Sequence, residues 1–228
     1  MQRFTRRFLA ACAISGVIAS AGAMADDHPT IRSMSGAKPV SELPAGKSAL
    51  LVIDFQNEYF TGRMPISDGA KALANTRKLI EFADRHHMPV YHVQHIAPAG
   101  SAVFATDGET VKFHPQMQPR DNDTVVQKTT VSVFASTDLD SRLKKAGITN
   151  LIITGLMTHA CVAGAARDAA PLGYNVLVAS DASATRAITR VNGDTVDKDA
   201  LHKSALAEIE DTFGDVMTTA QVLELPVR

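Results

Sequence analysis

The segment Ala49-Leu50-Leu51-Val52-Ile53-Asp54 constrains the fold of this chain more than any other. An unbroken apolar run ends there on a carboxylate. A strand that is apolar at every position must be covered on both faces, as strands of a parallel sheet are. The pattern recurs at Pro89–His95, Thr124–Lys128, Asn150–Gly155 and Tyr174–Asp181, with a weaker sixth run at Asp215–Thr219.

Helical patterns fill the gaps. Residues 68–87 place Ala70, Leu73, Ala74, Leu79, Ile80 and Ala83 near one face. Residues 137–147 open with a capping-box-like spacing and close at Gly147. Residues 159–172 are Ala-rich and stop near Pro171 and Gly173; residues 198–212 carry Leu201, Ala205, Leu206 and Ile209. Strands alternating with helices predict a three-layer, doubly wound α/β fold, with a mostly parallel six-stranded sheet and helices on both faces. Ligands of such folds bind outside the carboxyl ends of the strands, at the switch in strand order. The long stretch 96–123, with Gly100, Phe104, Gly108, Phe113 and His114, is a candidate binding loop.

The first 25 residues read as something other than fold. Arg3, Arg6 and Arg7 precede 18 uncharged residues, Phe8–Ala25, of which 11 are Ala, Gly or Ser. The run closes on Ala23-Met24-Ala25 before Asp26-Asp27. Basic head, apolar middle and small-residue end predict a secretory signal peptide over 1–25, cleaved after Ala25. A transmembrane anchor is the competing reading, against which the segment is short and poor in Leu and Ile. Thr5-Arg6-Arg7-Phe8-Leu9 partly matches a twin-arginine signal, so the general secretory and twin-arginine routes both stay open. Leu9-Ala10-Ala11-Cys12 resembles a lipoprotein box but lies too early, with no apolar run before it. The expected organisation is therefore a signal at 1–25, an N-terminal arm at 26–47 and one domain at 48–228, in an exported, periplasmic or secreted protein.

Processing changes the arithmetic. Removing residues 1–25 takes Lys+Arg from 23 to 20 against an unchanged 24 Asp+Glu, so the net charge moves from −1 to −4. No basic field for nucleic acid exists, and no membrane contact is expected of the processed form. Cys12 is lost and Cys161 remains alone. A single thiol in an oxidising compartment is a liability unless it is buried or used.

Three polar residues end strands or begin the helix after one. Asp54 ends the first strand, Lys128 ends the third, and Cys161 opens the helix after the fourth. The topology brings all three to one sheet edge. A helix N-terminus and a nearby lysine favour a thiolate, and a carboxylate can take up the thiol proton and return it to a leaving group.

These residues resemble the isochorismatase-like cysteine hydrolases, which include nicotinamidases and N-carbamoylsarcosine amidases. The resemblance runs from about Ser48 to Thr219. It is carried by Leu51-Val52-Ile53-Asp54-Phe55-Gln56-Asn57-Glu58-Tyr59, by Lys128 with Ser132-Val133-Phe134, and by Ile153-Thr154-Gly155-Leu156-Met157-Thr158-His159-Ala160-Cys161-Val162 followed by Ala165-Ala166-Arg167-Asp168-Ala169. It implies a catalytic triad of Asp54, Lys128 and Cys161. It also implies a cis peptide between Leu156 and Met157, and an oxyanion hole from the N–H groups of Met157 and Cys161. The implied activity is hydrolysis of a small-molecule C–N bond through a thioester. Relatives also suggest a homo-oligomer.

Nicotinamidases of the family carry an Asp-x-His metal motif after the second strand. This chain has Val93-Gln94-His95-Ile96 there, and the next histidine is His114. No metal or other cofactor is therefore expected, although His95 and His114 remain the pair to watch. Tyr59, His95 and Phe113 are candidate substrate contacts. Vinyl-ether or ester hydrolysis is the alternative activity. A non-catalytic small-molecule binder and a thiol redox sensor are alternatives from other classes.

Overall fold

The computed structural model describes residues 28–228, so the signal expected at 1–25 lies outside the described residues. Six parallel strands form one sheet: β1 (Ser48–Ile53), β2 (Val90–His95), β3 (Thr124–Lys128), β4 (Asn150–Leu156), β5 (Asn175–Ala184) and a short strand at Asp215–Met217. Two further short strands, β6 (Ile188–Thr189) and β7 (Thr195–Val196), pair antiparallel in a separate hairpin, so the sixth sheet strand is β8. The sheet order is β3-β2-β1-β4-β5-β8. Chain order reverses between β1 and β4, and that switch fixes where a site can form.

β1 shows why the apolar runs had to be unbroken. Ala49, Leu51 and Ile53 enter one core with Leu139, Leu143, Val162, Ala165 and Ala169. Those partners belong to α3 (Leu139–Lys145), α4 (Ala163–Ala169) and the turn before it. Leu50 and Val52 enter the opposite core with Leu73, Leu79, Phe82 and Val222. These come from α2 (Gly69–Arg85) and α6 (Thr219–Leu223). The three layers follow from this alternation.

Five features depart from the expected pattern. The sixth strand ends at Met217, not Thr219, because Thr218 and Gln221 form a capping box that starts α6. The β6–β7 hairpin turns through Asn192-Gly193, with Gly193 at φ 89°. The arm is not simply extended: α1 (Ile31–Met34) docks beside β8 through an Arg32–Asp215 ion pair at 3.0 Å, and Leu43 is buried beside Val227. The helix expected at 159–172 divides into a π-helical turn, Thr158–Val162, and α4. Likewise α5 (Lys198–Glu208) passes into a second π turn, Ile209–Phe213. Among the described residues no helix is long and apolar enough to cross a membrane.

Candidate active site

The site is built at the carboxyl ends of β1, β3 and β4. Asp54 follows β1 directly and takes a left-handed φ of 55°, which Asp tolerates better than most residues. Its N–H donates to Val93 O at 2.9 Å, holding the turn to β2. Gly155 in β4 allows the next step. Its φ is 138°, and a Cβ there would stand 2.2 Å from Ile53 O. Only glycine lets β4 pass so close to the end of β1. The Leu156–Met157 peptide bond that follows is cis. Among the described residues the Met157 N–H has no backbone acceptor. The π turn then carries Cys161 back over the end of β1.

Small residues make the approach of Lys128 possible. Gly164 lies against Val131 and Ser132, just past Lys128, and a Cβ there would meet Val131 at 3.3 Å. Lys128 Nζ stands 2.8 Å from Asp54 Oδ2 and 3.4 Å from Cys161 Sγ. Asp54 and Lys128 are fully buried, and Cys161 is 4% exposed. The sequence-predicted trio therefore meets at one point.

The charges there are unevenly supported. Neither Asp54 oxygen has a well-aligned hydrogen-bond donor among the described residues, so the ion pair with Lys128 is what offsets its burial. Burial pushes the Asp54 carboxyl up from the usual carboxylate range, while the Lys128 ammonium pulls it down. Burial, then the Asp54 charge, pushes the Cys161 thiol up to about 12 against the pull of Lys128. The resting sulfur is accordingly a thiol beside a base that holds protons better than a surface carboxylate does.

His95 is the fourth member. It is the register partner of Lys128 across β2 and β3, and its Nδ1 lies 2.7 Å from Nζ. Burial and the adjacent ammonium lower its pKa to about 4. Its ring stacks on Phe104 at 4.8 Å and 20°. Phe104, itself at φ 56°, meets Tyr59 edge-on at 5.5 Å. Tyr59 is buried, and its hydroxyl pKa is raised by burial first and then by the charges of Cys161 and Asp54.

Asp54, His95 and Cys161 offer three potential ligand atoms within 4.8 Å of one another. The Lys128 ammonium approaches these same three side chains to 2.8, 2.7 and 3.4 Å. His95 and His114 are engaged separately. His114 Nδ1 accepts from the Gln116 N–H, and its ring lies on Phe60. Phe113 is placed by a backbone bridge to Gln56, and its ring stands edge-on to His92, not on the trio.

Several supporting residues lie within or beside the motifs, but the sequence does not show their partners. Gln56 is fully buried; its amide donates to His95 O at 2.8 Å and Val111 O at 2.6 Å, and its oxygen accepts from His95 N–H at 2.8 Å. It staples the ends of β1 and β2 to the 96–123 loop. His92 is fully buried 3.2 Å from Asp123, which Arg120 also grips, so the far end of that loop is tied to the sheet. The Thr158 hydroxyl meets His202 Nδ1 at 2.8 Å, and His159 Nδ1 meets the Thr185 hydroxyl at 2.6 Å, fixing both ends of the π turn's first step.

Residues 48–221 match the family model for the isochorismatase domain. The chain belongs to the isochorismatase family. It is 34% identical over 193 residues to a secreted isochorismatase effector of Verticillium dahliae, covering 85% of this chain and 98% of that one. It is 32% identical over 152 residues to a nicotinamidase of Arabidopsis thaliana, covering 60% of this chain and 73% of that one. Among solved structures, an isochorismatase of Pseudomonas putida superposes with a TM-score of 0.79 at 29% identity, covering 86% of this chain and 99% of that one. This isochorismatase-family chain is thereby a hydrolase with the family's α/β fold.

Proposed function

We propose that this chain is a cysteine-dependent hydrolase that cleaves a small-molecule amide or related C–N bond through a thioester. The observation that carries the reading is the buried contact of Lys128 Nζ with both Asp54 Oδ2 and Cys161 Sγ. A buried carboxylate next to a buried thiol supplies a base for a nucleophile that would otherwise stay protonated.

In this scheme Asp54 takes the Cys161 proton. The ion pair then changes partners, from carboxylate–ammonium to thiolate–ammonium, without a charge leaving the pocket. Sγ attacks the carbonyl carbon. The oxyanion rests on the N–H groups of Met157 and Cys161. Asp54 returns the proton to the departing nitrogen, the C–N bond breaks and a thioester remains. Water, deprotonated by the same carboxylate, hydrolyses it and regenerates the thiol.

Tyr59 and His95 face the reacting groups in this proposal, and Phe113 contributes by fixing the loop. The nicotinamidase among the relatives supports C–N hydrolysis, and the isochorismatase effector among them supports the vinyl-ether alternative. Export after cleavage at Ala25 and assembly into a homo-oligomer complete the proposal. Intact mass of the protein recovered from outside the cytoplasm tests the first, and sedimentation tests the second. The activity itself is tested with purified protein on a panel of small amides, ureido compounds and esters. Turnover of an amide by the parent protein but not by Cys161→Ala is expected; turnover undiminished in Cys161→Ala contradicts the scheme.

A further inference from the structure

Both oxygens of Asp54 are buried, and neither accepts an aligned hydrogen bond among the described residues. The three N–H groups of Lys128 point elsewhere, to His95 Nδ1 at 2.7 Å, Thr130 O at 3.2 Å and Cys161 Sγ at 3.4 Å. Asp54 Oδ2, at 2.8 Å, meets the ammonium only as an ion pair. A buried carboxylate with unspent lone pairs is costly, and a cation that bonds to the oxygen directly would satisfy it better.

Asp54, His95 and Cys161 each offer one ligand atom, and these atoms lie within 4.8 Å of one another. Around a tetrahedral zinc ion, with bonds of about 2.0–2.3 Å, ligand atoms stand about 3.3–3.8 Å apart. Small side-chain shifts cover the difference. The ligand types select the ion: thiolate and imidazole suit Zn²⁺, whereas Mg²⁺ and Ca²⁺ take oxygen shells. His95 is already held for the task. Gln56 clamps both its backbone N–H and its carbonyl at 2.8 Å, and Phe104 stacks on its ring. Since Nζ only donates, Nδ1 faces it with a lone pair, the form that binds a metal.

We propose that Asp54 Oδ2, His95 Nδ1 and Cys161 Sγ form a cation site whose resident is the Lys128 ammonium, and that Zn²⁺ enters it in competition with Lys128 and silences the nucleophile. No oxidation state changes. Bonds form from Zn²⁺ to Oδ2, Nδ1 and Sγ, and the S–H bond breaks. The thiol proton and one ammonium proton go to solvent. The pocket starts neutral, with the Asp54 carboxylate against Lys128. It ends neutral, with Zn²⁺ against a carboxylate and a thiolate. Once bound to the metal, the sulfur lone pair is withheld from a substrate carbonyl.

The silencing rests on the proposed function; the binding does not, and both measurements below read binding without turnover. Their failure is therefore separable from that of the amide-hydrolase reading. In the first, full-length protein is titrated with Cd²⁺ as the spectroscopic stand-in for Zn²⁺, and the ultraviolet charge-transfer band of a Cd–thiolate bond is recorded. An equimolar amount should produce the band, Zn²⁺ should abolish it by competition, and Mg²⁺ should leave it unchanged. Cys161→Ala should lose it. His95→Ala should weaken binding about tenfold or more. Lys128→Met removes the competing charge and should tighten binding about tenfold or more. The second measurement uses the unaltered protein and so survives any folding failure of the variants. Equimolar Zn²⁺ should slow iodoacetamide alkylation of the peptide that contains Cys161 about tenfold or more, read by mass spectrometry, and Mg²⁺ should not. Absence of the band and of protection in the parent protein overturns the inference. So does a band that survives Cys161→Ala, or binding that His95→Ala leaves unchanged. A folded Lys128→Met that binds Cd²⁺ no more tightly than the parent overturns the competition between lysine and metal.

Discussion

Lys128 Nζ and Asp54 Oδ2 are 2.8 Å apart, with both side chains wholly removed from solvent. Each charge is tolerated only because of the other. Removing one partner leaves an uncompensated buried ion, which typically costs about 3–5 kcal/mol, whereas replacing both with apolar or neutral groups of similar shape costs far less. Lys128→Met and Asp54→Asn should each lower the urea-unfolding free energy by about 3 kcal/mol. The double variant should recover at least half of the summed loss. Simple additivity in the double-mutant cycle would refute the coupling.

Gly155 offers a second test, of geometry rather than charge. Its φ of 138° and the 2.2 Å approach to Ile53 O leave no room for a methyl group. Gly155→Ala should destabilise by more than about 2 kcal/mol, since backbone cannot yield as a flexible side chain does. Gly108→Ala, which would meet Ala105 O at 3.3 Å and needs no unusual φ, should cost less than about 1 kcal/mol. Equal costs at the two sites would remove the argument that β4 must close on β1.

Acid should weaken the fold through histidines before it protonates the surface acids. Burial lowers the pKa values of His92, His114, His159 and His202, and burial with Lys128 takes His95 to about 4. Unfolded histidine titrates near 6.5, so between that value and the folded values the unfolded chain binds more protons. Stability must then fall as pH drops through 6.5 toward 5. Asp54 acts in the opposite sense, because its raised folded pKa favours the folded state on acidification. The histidines set the expected direction between pH 6.5 and 5, with Asp54 opposing them. Urea midpoints at pH 7.5 and 5.0 measure it, and His95→Asn should reduce the difference. A midpoint that is unchanged or higher at pH 5.0 contradicts this assignment.

The sheet was readable because its strands are covered on both faces, and that requirement writes itself as unbroken apolar runs. Asp54, Lys128 and Cys161 were readable because each interrupts or follows such a run where the topology places ligands. The contact between His95 and Lys128 was not. It depends on the β2–β3 register, which neither strand encodes alone. His92 looked like an ordinary residue of β2, since its partner Asp123 lies 31 positions on, and loop closure over that distance leaves no periodic trace. The helix α6 was hidden because Thr218 and Thr219 extend a β-like pattern while Thr218 is also an N-cap; the capping box with Gln221 decided between them. The π turn is indistinguishable from plain helix in the sequence, because an Ala-rich segment has no side-chain signature for one extra residue per turn.

Substrate-derived mass on one sulfur tests the catalytic account most directly. An amide that the parent protein hydrolyses should be mixed with it and quenched in acid within the first turnovers. The account predicts that the peptide bearing Cys161 gains the acyl portion of the substrate, that hydroxylamine removes the gain, and that Asp54→Asn, with no base for the thiol, accumulates none. Hydrolysis of that amide at the parent rate by Cys161→Ala, with no acyl adduct on Cys161 at any quench time in the parent, would contradict it.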